Sequence, residues 1–256
     1  MNKKITFDDI IKKFNLLLEE SMNMIIFVRD IELQKVQVST LATQVQEIRN
    51  YKSQAIENND EEIANLFFAF HNLLNSVKSC IESIIYLKEN NHQKSWHKFV
   101  DAEEFLDYAC LQKEKLYGLD EYHQRLKYMQ KCLFPKFEFF NSPGIVESIG
   151  NCNICEAEYG KCNHIEGLLY CGIVCQRINR KIIEVNHSAL VKNPKDKRCI
   201  ITEISTDDGY MKDYMTLRIL DKKVENNDCN EKVMNLNCIL MITDELEING
   251  SIHLTV

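Results

Sequence analysis

The stretch CNICEAEYGKCNH, Cys152 to His164, followed by YCGIVC, Tyr170 to Cys175, sets six side chains that bind soft metals within 24 positions. Cys152 and Cys155 form a knuckle, whose thiolates and turn amides suit one face of a tetrahedral ion, zinc above all. Two pairs compete to complete the site. Cys162 and His164 would do so by the most local route, giving three sulfurs and one imidazole nitrogen. Cys171 and Cys175 would do so from a following element, giving an all-cysteine site in a treble-clef-like arrangement. His187 and Cys199 could raise the donor number for a second ion.

The chemistry expected of such a set is structural. A catalytic zinc keeps one position open for water, with a carboxylate nearby as base. Glu156, Glu158 and Glu166 lie near enough in sequence, but thiolates donate so much charge that the ion becomes a poor Lewis acid. The H-x-E with P-C-x-x-C signature of the zinc deaminases is absent. So are a GxxxxGK[ST] loop, a GxGxxG turn after a strand, a GxSxG elbow and an HExxH helix. The chain therefore reads as an interaction partner more than as an enzyme.

Positive charge gathers at Arg177, Arg180 and Lys181, with Lys192, Lys195, Lys197 and Arg198 beyond. This basic segment beside the cysteines is the candidate nucleic-acid site. Together with Asn186 and His187 it invites comparison with an HNH-type nuclease, in which a histidine activates water. A net charge of −7 opposes any function that consists of coating nucleic acid, which needs a basic surface. His97, Asp101 and Glu104 share a helical face that could hold a metal. No matching Glu-x-x-His stands on another helix, and a solvated face is expected there.

The pattern C-x2-C-x6-C-x-H-x2-G-x2-Y-x-G-x2-C, here Cys152, Cys155, Cys162, His164, Gly167, Tyr170, Gly172 and Cys175, resembles a cysteine-rich segment of assorted uncharacterised bacterial proteins. The approach LFPK, from Leu133, and the exit HSALVKNPKDKRC, ending at Cys199, are similar flanks, so the resemblance spans roughly Leu133 to Cys199. It requires no cysteine at Cys171. That implies Cys162 and His164 as the second pair, with Cys175 and then Cys171 as alternates. The resemblance implies no activity, and a role in bacterial host defence would rest on it alone.

These residues must be positioned by a chain of two characters. Its 256 residues, 45% hydrophobic and 27% charged, suffice for a folded core. No proline precedes Pro135 and no glycine precedes Gly118, which marks a helical first half. Thr6 and Asp9 resemble a capping box before Phe7, Ile10, Ile11, Phe14 and Leu17. Met24, Phe27, Ile31, Gln34, Val38, Leu41, Val45 and Ile48 step by three and four. This seam predicts one long helix, or two nearly collinear ones, reaching about Lys52. Gln34, its one polar member, could set register against a partner helix, or the seam could pack within the same bundle. NNDEE at Asn58 to Glu62 predicts the next helix start, NNHQ at Asn90 to Gln93 a break, Gly118 a helix end, and Asp120 the cap of a last helix stopped by Pro135.

Beyond Pro135, PKFEFFNSPG predicts an extended aromatic connector. KIIEVNHSALV, RCIITEIS, YMTLRIL, NCILMIT and SIHLTV read as strands, separated by turn material such as NPKD and DDG. The expected class is α+β: an elongated antiparallel helical bundle over 1–134, an aromatic connector and zinc-binding module over 135–180, and a small, mainly β module over 181–256. Cys80, Cys110, Cys132, Cys199, Cys229 and Cys238 are scattered, as small core residues in a reducing compartment would be. The longest apolar run, MNMIIFV from Met22, is far short of the roughly 20 residues that span a bilayer, and MNKKITFDDI lacks a signal-like apolar region. A cytoplasmic protein without a membrane partner is expected. Its function would be that of a zinc-stabilised interaction or scaffold protein within a larger assembly, its helical half meeting a protein partner or a second copy. The alternative is a nucleic-acid-associated factor or HNH-like nuclease using Arg177, Arg180 and Lys181.

Overall fold

Helix α1 (Phe7–Asn23) opens on the capping box: the Asp9 amide donates to the Thr6 hydroxyl, and the Thr6 amide to the Asp9 carboxylate. The computed structural model describes residues 6–25, 28, 30–223, 235–240 and 248–249. Helix α2 (Ile31–Glu57) starts seven residues later than the seam predicts, because Asp30 accepts the amides of Glu32 and Leu33 and caps a new helix. The two helices are not collinear. Gln37 reaches Ser21 and Lys13 pairs with Glu47, so α2 runs back along α1. Gln34 donates to the Met24 carbonyl and accepts from Lys88, so its amide is engaged within the chain. Leu41, Val45 and Ile48 of the seam are buried within the chain; Phe27 lies outside the described residues.

Helices α3 (Glu61–Lys88) and α4 (His92–Ala109) follow through two turns of one design. Asn59 and Asn90 take φ of 53° and 60° where glycine is usual. The amides of Asp60 and Asn91 close back onto the carbonyls of Ala55 and Tyr86, and their side chains then cap the next helix at Ile63 and Lys94. Asparagine thus makes the reversals in a stretch free of glycine and proline. Helix α3 lies between α2 and α4, with Phe68, Leu74, Val77 and Ile81 fully buried. Serines allow close approach to α4: Ser76 donates to the Ala102 carbonyl at 2.6 Å, and Ser83 and Ser95 exchange hydrogen bonds with each other's carbonyls at 2.8 Å. A 3-10 turn (Cys110–Lys115) and Gly118, at φ +80°, precede α5 (Leu119–Leu133), which ends ahead of Pro135.

The chain divides into two compact units, one comprising Met1–Leu126, Asn151–Ile178 and Leu246–Val256, the other Lys127–Gly150 and Asn179–Glu245. The cysteine segment therefore belongs with the helices rather than to a separate connector module. It forms two short ribbons, β2 (Asn151–Cys152) with β5 (Arg177–Ile178) and β3 (Leu169–Tyr170) with β4 (Ile173–Val174).

In the second unit β1 (Phe140–Glu147) pairs antiparallel with β6 (Ile182–Val191), and β7 (Ile201–Ser205), β8 (Tyr210–Asp213), β9 (Ile219–Lys223) and β10 (Leu236–Cys238) form a sheet ordered β10-β7-β8-β9. The connector packs as expected, Phe137 stacking on Tyr214 and Phe140 buried. Strand β8 starts directly after the DDG turn. The expected strand YMTLRIL begins instead as a turn, because Asp213 accepts both the amide and the hydroxyl of Thr216 and Leu217 sits at φ +60°. The SIHLTV segment and Cys229 lie outside the described residues. Of the other scattered cysteines only Cys80 and Cys199 are buried; Cys110 is half-buried and Cys132 and Cys238 are exposed, so packing explains just two of them. The α+β class holds. Among the described residues no helix is long and apolar enough to cross a membrane.

Lys52 on α2 is fully buried, its ammonium 5.6 Å from the Phe68 ring centre and donating to the Asn249 carbonyl. Burial, with Arg49 nearby, pushes its pKa down to about 7. The unfolded chain keeps that proton up to the ordinary lysine range, so it binds more protons than the folded chain from there down to about pH 7. Stability gains from this group as pH rises through that window. Urea melts at pH 7 and pH 9.5 should show a gain of up to about 3 kcal/mol that Lys52→Met lacks.

Candidate metal centre

The knuckle is shaped by its backbone. The Cys152 amide donates to Ala157 and the Glu156 amide to Cys152, each at 2.9 Å, while Glu156 takes φ +59° and its carbonyl accepts from the Asn151 side chain. Two tyrosines hold the loop that follows. Tyr159 accepts the Glu166 amide and Tyr170 the Ile165 amide, both at 3.0 Å, and His164 meets Tyr170 edge to face. The Gly167 amide donates to the Cys175 carbonyl and the Cys175 amide to the Leu168 carbonyl, which fastens the loop to the end of β4.

These constraints bring the ligand atoms of Cys152, Cys155, Cys162 and His164 within 4.8 Å of one another. Sulfur ligands at about 2.3 Å around a tetrahedral ion stand about 3.7 Å apart, so a contraction of about an ångström would close the set. The four residues could hold a metal ion. Cys152 lies 3.6 Å from His164 Nδ1. The alternates separate. Cys175 is fully buried with its sulfur 3.9 Å from that of Cys152, whereas Cys171 turns at φ +43° on the β3–β4 hairpin and its amide points to Glu61 of α3. Neither belongs to the four-donor group, the one such group among the described residues.

Burial raises the Cys152 thiol, but the amides of Cys155 and Ile154 and the thiols of Cys155 and Cys175 outweigh it and bring the pKa down to about 6. Burial and the neighbouring Cys152 push Cys175 up to about 12. The shifts favour the charge on Cys152 and the proton on Cys175. Cys171 is also raised, by burial and then by Glu61 and Asp60. Of the carboxylates that could serve as a base, Glu158 is paired with Lys161 and Glu166 with Arg177.

No family model, curated protein or solved structure matches the chain. The site therefore rests on its own geometry.

The basic residues are occupied locally. Arg177 pairs with Glu166 at 3.0 Å and lies over Tyr159, Arg180 pairs with Glu147 at 3.1 Å, and the Lys181 amide donates to Ser148. His187 lies across Gly144 of the β1–β6 ribbon, where a Cβ would run into its ring, and belongs to the other unit from the cysteines, as does Cys199. On the helical face, Asp101 and Glu82 both pair with Lys98.

Sequence reasoning missed how the hairpin is seated. Gly172, at φ +75°, donates its amide to Asn65 at 2.6 Å, and a Cβ there would meet the Ala64 carbonyl oxygen at 3.0 Å. The signal was the glycine itself, placed between Tyr170 and Cys175. Gly160 also has positive φ, +93°, but faces open space. Gly160→Ala should cost only the conformational strain of about 1 kcal/mol. Gly172→Ala should cost more, roughly 2–3 kcal/mol, and make 151–178 the first protease-sensitive segment. Equal urea midpoints for the two variants would contradict the seating.

Proposed function

We propose that this is a zinc-stabilised interaction protein whose ion holds a hairpin in shape instead of performing a reaction. The observation that carries this is the donor set: three sulfurs and one imidazole nitrogen within 4.8 Å of one another are the number and kind of donors that a closed, structural tetrahedral zinc takes. Elemental analysis should find one zinc per chain. Cys152→Ser, Cys155→Ser, Cys162→Ser and His164→Ala should each lose it, while Cys175→Ser should retain it. A metal-free protein with unchanged melting in the presence of a chelator would refute the zinc.

The interaction reading is supported by apolar side chains left in water. On β6, Ile182, Ile183, Val185 and Leu190 are each about half or more exposed, a row suited to a protein partner. The nucleic-acid alternative gains no support from the arginines, since Arg177 and Arg180 already face carboxylates. Wild-type protein should pass through DNA and RNA columns at low salt without retention. Retention that vanished on neutralising Arg177, Arg180 and Lys181 would favour the alternative.

A further inference from the structure

Ile248 and Asn249 are bound by the helices and the metal hairpin as a peptide ligand would be. Ile248 is 1% exposed and completes an apolar cluster with Phe68, Phe105 and Val174. Its carbonyl accepts from the Asn72 side chain at 3.2 Å, and the Asn249 carbonyl accepts from Lys52. The Asn249 side chain does what a neighbouring strand would do. Its oxygen accepts the Val174 amide at 2.8 Å, and its nitrogen donates at 3.1 Å to the Val174 carbonyl and to Gln176. Asparagine fits for a reason: aspartate lacks the donor, and glutamine is one methylene longer.

Val174 and Gln176 flank Cys175, whose carbonyl and amide fasten the ligand loop. The main chain held by Asn249 is also held from the knuckle side: Asn153, between Cys152 and Cys155, donates to the Val174 carbonyl at 3.0 Å and accepts the Gln176 amide at 2.8 Å. Metal and dipeptide thus grip one short strand from two sides.

We infer that the cleft formed by Phe68, Phe105, Val174, Lys52 and Asn72 is a recognition site for an Ile-Asn dipeptide, occupied by residues 248–249 of this chain, and that its occupancy and metal binding strengthen each other. The coupling rests on the zinc reading above. It follows because each event orders β4, and by linkage each must favour the other by the same factor.

Two measurements on the full chain test it. Zinc release to a chromogenic chelator should be roughly 5- to 150-fold more favourable for Asn249→Ala than for wild type, with the helical circular dichroism signal of the two equal. In wild type, hydrogen exchange in peptides containing Ile248 and Asn249 should accelerate by a similar factor when zinc is chelated. Identical zinc release from the two chains overturns the coupling, and so does exchange indifferent to zinc, while both leave the metal centre standing. A wild-type chain that takes up no zinc overturns the metal reading and the coupling together.

Discussion

Helix α3 cannot face water on any broad side, and the first unit is organised by that constraint. Its 28 residues carry apolar side chains nearly all round, a pattern that requires cover from every direction. Helices α2 and α4 cover much of it. A remaining stripe, Glu61, Asn65, Phe68 and Asn72, steps by four, three and four, and is met in order by the Cys171 amide, the Gly172 amide, Ile248 and the Ile248 carbonyl. Polar residues lie inside the same packing. Burial, then Lys52, Arg49 and Lys78, hold His71 well below its ordinary range, so it stays neutral beside Asn75.

The metal centre answers a different shortage. Ribbons of two residues per strand, such as β2–β5 and β3–β4, bury too little to hold themselves together. An ion held by the four donors would supply the missing cross-links, and the hairpin presents Gly172 at close range to α3. Positive φ at Glu156 and Cys171, neither of them glycine, is backbone cost that the fold of the hairpin imposes.

Helix content and the Thr6 cap were legible because each depends on residues a few positions apart, and the same closeness in sequence marked Cys152, Cys155, Cys162 and His164 as candidate donors. The break before α2 was not. An apolar seam runs through it, and only Asp30 marks the new start. The strand expected at Tyr214 failed because an Asp213 side chain offers the backbone a turn that β-branched composition does not reveal. His187 looked chemical beside Asn186, yet Gly144 leaves room for its ring to pack. The Ile248–Asn249 pair carries no periodicity at all, so its place could emerge only from what surrounds it.

The bond from Lys52 to Asn249 joins residues 197 positions apart. Helices α1 to α4 can form from neighbours in sequence, quickly and early. During synthesis they would then stand with an amine and an apolar cleft still open to water while the 139 residues from Cys110 to Ile248 are made. The first unit is therefore begun by local contacts and closed by a distant one, and its interior stays provisional until that late segment arrives.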